Sequence, residues 1–139
     1  MEVIDLVLEK ILVTGSNGFI GMHLCNTLLK AGYDVLGLDN MNDYYSVKLK
    51  KNRLAILKKY KNFSFKELDI SNQFETNKVF DYFKPDKVAN LAAQAGVRYS
   101  LKNPNAYIKT NVLGFMNILE VCRNHKVQGL IYASSSSVY

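Results

Sequence analysis

Apolar residues along the chain form short runs that alternate with longer segments of helical periodicity. The short runs predict five strands, at about residues 10–14, 34–39, 63–68, 87–92 and 129–133. The segments between them predict four helices, at about residues 19–31, 47–60, 71–83 and from 103 onward. Strands that alternate with helices form parallel sheets with right-handed crossovers. We therefore predict an α/β fold, a Rossmann-type doubly wound parallel sheet in residues 10–139, preceded by an N-terminal arm at residues 1–9.

Helical periodicity also predicts where the helices end and which side chains enter the core. Gly32 is placed to end the first helix in a left-handed conformation, Ser71 to cap the third, and Asn103 followed by Pro104 to begin the last. The side chains expected to point inward are Ile20, Leu24, Leu28, Leu49, Leu54, Ile56, Leu57, Phe74, Val79, Phe80, Phe83, Ile108, Val112, Phe115 or Met116, Leu119 and Cys122.

A glycine-rich segment, Thr14-Gly-Ser-Asn-Gly-Phe-Ile-Gly21, follows the first predicted strand directly. Its spacing, G-x-x-G-x-x-G, fits a dinucleotide site: Gly15 permits a tight turn, Gly18 lets the backbone approach a pyrophosphate, and Gly21 allows close helix–strand packing. The helix that begins near Phe19 points its free N–H groups and positive dipole end at the phosphates. The segment therefore predicts dinucleotide binding without a lysine.

An acidic residue, Asp39, ends the second predicted strand eighteen residues after Gly21. A carboxylate at this place accepts hydrogen bonds from the hydroxyl groups of an adenosine ribose. Its negative charge opposes the 2′-phosphate of NADP. We therefore expect NAD as the cofactor.

Composition limits the remaining function classes. A chain of 139 residues with 48% hydrophobic content suits one domain with a real core. The first nine residues carry acids and no lysine, and no apolar run approaches a membrane span, so we expect a cytoplasmic protein without a membrane partner. His23 and His125 lack ligand spacing, and Cys25 and Cys122 lie in helical segments, so we expect buried free cysteines and no metal site.

The net charge of +6 arises largely from one predicted helix and its exit. No acidic residue interrupts its basic residues, which are Lys48, Lys50, Lys51, Arg53, Lys58, Lys59 and Lys61. We interpret them as a solvated helix face and expect no specific nucleic-acid partner, because no nucleic-acid-binding module accompanies them.

Four further segments carry a family resemblance. They are Leu38-Asp-Asn-Met-Asn-Asp-Tyr-Tyr45, Leu91-Ala-Ala-Gln-Ala-Gly-Val-Arg-Tyr-Ser-Leu-Lys-Asn-Pro104, Thr110-Asn-Val-Leu-Gly114 and Tyr132-Ala-Ser-Ser-Ser-Ser-Val-Tyr139. With the glycine-rich segment, they resemble the NAD-binding part of the extended short-chain dehydrogenases/reductases, in the NAD-dependent epimerase/dehydratase family, and within it the UDP-glucuronate 4-epimerases. The resemblance covers about residues 10 to 139.

The resemblance implies roles for individual residues and a UDP-sugar as substrate. The implied NAD contacts are Gly15, Asn17, Gly18, Phe19, Ile20, Asp39, Asn40, Asp69, Ile70, Leu91, Ala92, Ala93 and Asn111. Ser135 would bind the reacting oxygen of the sugar as a catalytic residue, and Arg98, Ser136 and Ser137 would contact the substrate. Other readings stay open: Asp69 can cap a helix, Asn111 can be solvated, and Arg98 can form a surface ion pair.

The chain departs from the family pattern at its catalytic pair. In the family a Tyr-x-x-x-Lys pair takes the C4 hydroxyl proton on the way to a 4-keto sugar, and it belongs further along than Tyr139. Tyr44 and Lys48 match the spacing but follow the second strand, away from a nicotinamide. We therefore expect a fragment that carries most of the cofactor site, does not epimerise alone, and forms a homodimer or self-associates in another way.

Several functions remain open at this point. The first is the NAD-binding part of a nucleotide-sugar epimerase. The alternatives are a stand-alone NAD-binding or sensing module without turnover and a fragment of an NAD-dependent sugar-nucleotide dehydratase. A methyltransferase also uses a glycine turn and an acid after the second strand, but the glycine spacing and the serine run at residues 134–137 oppose it.

Overall fold

The computed structural model describes residues 8–135, which form a five-stranded sheet with helices on both faces. The strands are β1 (Lys10–Thr14), β2 (Asp34–Asp39), β3 (Phe63–Glu67), β4 (Lys87–Asn90) and β5 (Gly129–Tyr132). They lie in the order β3-β2-β1-β4-β5, and every neighbouring pair is parallel. The predicted doubly wound sheet is confirmed. Residues 1–7 of the expected arm, and the expected substrate contacts Ser136 and Ser137, lie outside the described residues.

The helices are α1 (Phe19–Lys30), α2 (Val47–Leu57), α3 (Gln73–Phe83), α4 (Val97–Ser100), α5 (Pro104–Tyr107) and α6 (Phe115–Asn124). A π-helical segment, Ile108–Gly114, joins α5 to α6 without a break, so these three pieces replace the single last helix of the prediction. None of the described helices is long and apolar enough to cross a lipid bilayer.

Two apolar clusters lie on opposite faces of the sheet. One joins β strands to α3 and α6, with Phe80 and Ile118 fully buried in it. The other joins the sheet to α1 and α2 through Cys25, Leu29 and Leu57. Cys25 and Cys122 are buried free cysteines, as predicted, and burial raises the pKa of the Cys25 thiol to about 12. This layered arrangement leaves the strand ends as the places where ligands can enter.

Two of the three residues predicted to begin or end helices do so, as the Gly32 and Asn103 positions show. Gly32 has φ +91 and follows α1, and the Asn103 side chain accepts a hydrogen bond from the Ala106 amide at 3.3 Å. The predicted Ser71 cap is wrong. Asn72 caps α3 instead, through a 3.1 Å hydrogen bond from the Glu75 amide, because Ser71 is bound to Asp69.

Helical periodicity assigned part of α2 wrongly. The predicted burial of Leu57 is confirmed, but Leu49 and Ile56 are more than 40% exposed, and Lys50 is buried instead. The apolar residues of this helix form no single stripe, and the face that is buried carries both Leu57 in the core and Lys50 beside Asp39. Lys50 therefore does not belong to the solvated face that the sequence predicted.

The other misassigned core positions have separate causes. In the last helical run, Ile108, Val112 and Leu119 are exposed, and Ile118 and Val121 enter the core in their place. Cys122 is buried as predicted, and of the alternatives Phe115 and Met116 the first is partly buried and the second exposed. A π-helix has more residues per turn than an α-helix, so the segment Ile108–Gly114 changes which positions face the sheet. Phe74 and Ile20, each in the first turn of its helix, are also exposed.

Two phenylalanines of α3 give a direct test of the core assignment. Phe80 is fully buried and Phe74 is 67% exposed. Phe80→Ala should lower the free energy of unfolding by about 3–5 kcal/mol, since it leaves a cavity, and Phe74→Ala by less than about 0.5 kcal/mol. Urea unfolding measures both values. A Phe74→Ala loss as large as that of Phe80→Ala would contradict the orientation of α3.

Candidate functional site

An open cleft lies at the carboxyl ends of β1 to β4 and holds about 630 Å³ of empty space that opens to solvent. In doubly wound sheets, ligands bind at this edge of the sheet. The sequence-predicted NAD contacts that line the cleft are Gly15, Gly18, Asp39, Asn40, Asp69, Ile70, Leu91, Ala92 and Ala93. The fold thus brings together residues from four separate segments of the chain.

Thr14, at the end of β1, fixes the exit of β4 on one side of the cleft. Its fully buried hydroxyl accepts hydrogen bonds from the amides of Leu91 and Ala92, at 3.1 and 3.0 Å. It donates in turn to the Asn90 side-chain oxygen at 2.6 Å. Sequence reasoning missed Thr14 and gave Asn90 no role. A polar residue that ends a continuous apolar strand was the available signal.

The glycine turn suits a dinucleotide because its glycines have no side chains, so a ligand can approach the backbone closely. Gly15 has φ +66, and a Cβ there would lie 2.9 Å from the Ala92 amide nitrogen, too close for any other residue. A Cβ on Gly21 would overlap the Gly15 carbonyl, so the start of α1 packs directly on the turn. Gly18 is the N-cap residue of α1, and no side chain caps that helix. The first turn of α1 therefore offers free N–H groups to an anion.

Asp39 lies at the tip of β2 and is only 7% exposed. One carboxylate oxygen accepts a hydrogen bond from the Asn17 amide at 3.1 Å, and the other accepts from the Met41 amide at 2.9 Å. The Lys50 ammonium also approaches this second oxygen at 3.4 Å. Asp39 therefore ties the glycine turn to the loop after β2 while it faces the cleft.

Two cations of α2 belong to the site rather than to the solvated face. Lys50 is 3% exposed and donates to Asp39 and, at 3.0 Å, to the Asn42 side-chain oxygen. Arg53 donates to the Asn17 carbonyl at 3.3 Å. Sequence reasoning missed both, because a basic run on a helix carries no information about which lysine meets a distant carboxylate.

Asp69 and Ile70, which the family resemblance predicts to contact adenine, follow β3 and line the cleft. Desolvation opposes ionisation of Asp69, but hydrogen bonds from Ser71 and the Lys109 ammonium at 3.0 Å together leave the pKa of its carboxyl lowered. Asn72, not Asp69, caps α3, so the interpretation of Asp69 as a helix cap is wrong. The Ile70 carbonyl accepts a 2.9 Å hydrogen bond from Asn117, a buried residue of α6.

Some predicted NAD contacts do not line the cleft. The Asn111 amide group binds the Gln94 backbone twice, accepting from its N–H at 2.8 Å and donating to its C=O at 3.0 Å. Asn17 is fully buried, and its backbone N–H donates a hydrogen bond to the Asp39 carboxylate. Phe19 and Ile20 are exposed at the start of α1. Their contact with a cofactor stays a prediction.

The predicted substrate side of the site is only partly described. Ser135 follows β5 and is exposed. Arg98 is exposed on α4 and forms no ion pair within residues 8–135, and its contact with the substrate stays a prediction. Within the same residues, no group of three histidine, cysteine or acidic side chains is placed to hold a metal ion.

The fold and the cleft define a doubly wound nucleotide-binding domain of the kind that holds a dinucleotide at a glycine turn. Residues 12–139 match the family described as GDP-mannose 4,6 dehydratase, and the chain belongs to this family. The resemblance to the epimerase/dehydratase family inferred from the motifs is therefore confirmed.

Within this family, several named relatives and solved structures are similar to the chain. Over 130 residues the chain is 55% identical to Protein CapI of Staphylococcus aureus, with 94% of this chain and 39% of the relative covered. It is 46% identical to UDP-glucuronate 4-epimerase 2 of Arabidopsis thaliana, covering 94% and 30%. The crystal structure of UDP-glucuronic acid 4-epimerase from Bacillus cereus, in complex with UDP-glucuronic acid and NAD, matches with a TM-score of 0.85 at 39% identity, covering 94% and 41%. The chain thus spans well under half the length of these relatives.

Substitutions of two neighbouring lysines of α2, Lys50 and Lys51, test the buried ion pair between Lys50 and Asp39. Lys50→Met should lower the free energy of unfolding by about 3 kcal/mol, because Asp39 stays buried without its counter-ion. The matched control Lys51→Met, at an exposed position one residue along, should change it by less than about 0.5 kcal/mol. Urea unfolding at neutral pH measures both. Equal losses would refute a special role for Lys50.

Proposed function

We propose that this chain is the NAD-binding part of a nucleotide-sugar epimerase of the UDP-glucuronate 4-epimerase type. One observation supports the proposal most: the glycine turn, which has no side chains at positions 15 and 18, and the buried carboxylate of Asp39 line the same cleft. The Gly15–Gly18 turn supplies the phosphate cradle, and Asp39 supplies the ribose acceptor. Relatives named as UDP-glucuronate 4-epimerases, one of them in complex with NAD, support the choice of cofactor and substrate.

Each part of the cleft would hold one part of the cofactor. The turn and the N-terminus of α1 would bind the pyrophosphate through backbone N–H groups. A carboxylate has about four acceptor positions. Three protein groups use the Asp39 carboxylate, so it keeps capacity for a ribose hydroxyl. Asn40 would join it, Asp69 and Ile70 would bind the adenine edge, and residues 91–93 would line the middle of the cofactor.

Bound NAD would supply hydride transfer at the C4 carbon of the sugar. The chain's own contribution there would be the Ser135 hydroxyl, which would donate a hydrogen bond to the reacting sugar oxygen and stabilise the charge that develops on it. Arg98, Ser136 and Ser137 are the proposed contacts to the rest of the UDP-sugar.

A sugar-nucleotide dehydratase is the second candidate, because the matching family carries that description. Both reactions need the same NAD cleft, so the cofactor site does not distinguish an epimerase from a dehydratase. The product that is formed from the sugar nucleotide distinguishes them.

Cofactor choice tests the proposal at Asp39. Wild-type protein should bind NAD about tenfold more tightly than NADP, because Asp39 opposes the 2′-phosphate while Lys50 offsets part of its charge. Asp39→Asn keeps the shape and removes the charge, so it should reduce this preference. Asp43→Asn, exposed in the same loop, is the matched control. Calorimetric titration of the three proteins with both cofactors measures the six affinities, and equal binding of NAD and NADP by the wild type would contradict the assignment.

Epimerisation is tested in a fusion of this chain to the part of the Bacillus cereus enzyme that follows the aligned segment. With UDP-glucuronate and NAD, the fusion should form UDP-galacturonate. Ser135→Ala should lower kcat about 10²–10³-fold, as loss of one oxyanion donor does, while Ser134→Ala serves as the neighbouring control. Product analysis by chromatography decides the matter. UDP-glucuronate has no C6 hydroxyl to eliminate, so the dehydratase is tested with UDP-glucose, from which a 4-keto-6-deoxy product would favour the dehydratase. A kcat independent of Ser135 would remove its proposed role.

A further inference from the structure

Tyr45 lies over the glycine turn, where the glycine motif itself assigns no side chain. Its hydroxyl oxygen is 3.3 Å from the position that a Cβ would occupy on Gly18. Its ring lies beneath the Lys50 ammonium, which is 4.9 Å from the ring centroid. The side chain lines the same cleft as the turn. The Tyr45 hydroxyl and the start of α1 therefore border one space.

The Tyr45 hydroxyl is available as a donor. Within residues 8–135 it forms no hydrogen bond, whereas the hydroxyls of Tyr60 and Tyr107 do. Burial raises the pKa of Tyr45, and the nearby Asp39 carboxylate raises it further, against a smaller lowering by Arg53. The hydroxyl thus keeps its proton at neutral pH and can give a hydrogen bond to an anion.

The loop that carries Tyr45 is attached at both sides of the cleft. On one side Asp39 binds the Met41 amide. On the other, the Tyr44 ring packs against Tyr99 of α4, with ring centroids 5.0 Å apart. The Tyr44 hydroxyl also sits against Gly96, where a Cβ would overlap it. Residues 40–46 therefore bridge the cleft from β2 to the segment after β4, which fixes Tyr45 above the turn.

We propose that the Tyr45 hydroxyl donates a hydrogen bond to a pyrophosphate oxygen of the bound dinucleotide, so that residues 40–46 clamp the cofactor against the glycine turn. The cations Lys50 and Arg53 of α2 bind Asn42 of this loop and the Asn17 carbonyl of the glycine turn, and their charge favours an anion nearby. The inference rests on the proposed function, since it requires a dinucleotide in the cleft.

Two ligands separate the pyrophosphate contact from the rest of the site. ADP-ribose contains the pyrophosphate, and adenosine lacks it. Wild type, Tyr45→Phe and the control Tyr82→Phe, which removes a hydroxyl from an 88% exposed tyrosine of α3, are titrated with both by NMR. Tyr45→Phe should raise the Kd for ADP-ribose about tenfold, as loss of a hydrogen bond to a charged group does, and leave the Kd for adenosine unchanged. Tyr82→Phe should change neither value.

The outcomes distinguish the inference from the proposed function. If wild type binds ADP-ribose and Tyr45→Phe binds it equally well, the clamp is refuted while the NAD site stands. An equal loss for ADP-ribose and adenosine also refutes it, because the hydroxyl would then act on the adenosine half or on the fold. If wild type binds neither ADP-ribose nor NAD, the proposed function fails and the clamp fails with it.

Discussion

The direct contact between the ends of β1 and β4 determines the geometry of the cleft. The Thr14 hydroxyl holds two successive amides after β4, and Gly15 approaches the same segment so closely that a side chain would collide with it. These strands are neighbours in the sheet, and the chain leaves them toward opposite edges. The gap that opens above them is the topological switch point, where doubly wound sheets bind ligands. Any residue larger than glycine at position 15 would push the two walls apart.

Charge is distributed around this gap so that an anion and a ribose can both be bound. Asp39 is held by two backbone amides and by Lys50, which makes a buried carboxylate tolerable and leaves it partly free to accept. The phosphate side needs no lysine, because the start of α1 offers backbone N–H groups. Lys50 and Arg53 add positive charge beside it. The cleft thus places a partly satisfied carboxylate, two nearby cations and free backbone N–H groups around one space, an arrangement that suits the proposed dinucleotide.

The sequence was informative where local chemistry decides structure and uninformative where distant residues meet. The bounds of β1 and β2 were predicted correctly, because an apolar run bordered by glycine and polar residues has few other interpretations. The glycine turn and Asp39 were found through their spacing. Lys50 was misassigned because its partner lies eleven positions earlier and meets it only in the folded chain. The hydrogen bonds of Asn111 to Gln94 were not foreseen, because they follow from the approach of a helix to a loop.

The central claim, that a dinucleotide binds in the cleft at the carboxyl ends of the strands, is tested most directly by amide NMR of the chain titrated with NAD. We predict saturable shifts for the amides of residues 15–21, 40–45 and 91–93. The amides of residues 81–86, at the opposite edge of the sheet, should stay unchanged. Saturable shifts centred on residues 81–86, or no saturable shift anywhere, would contradict the account.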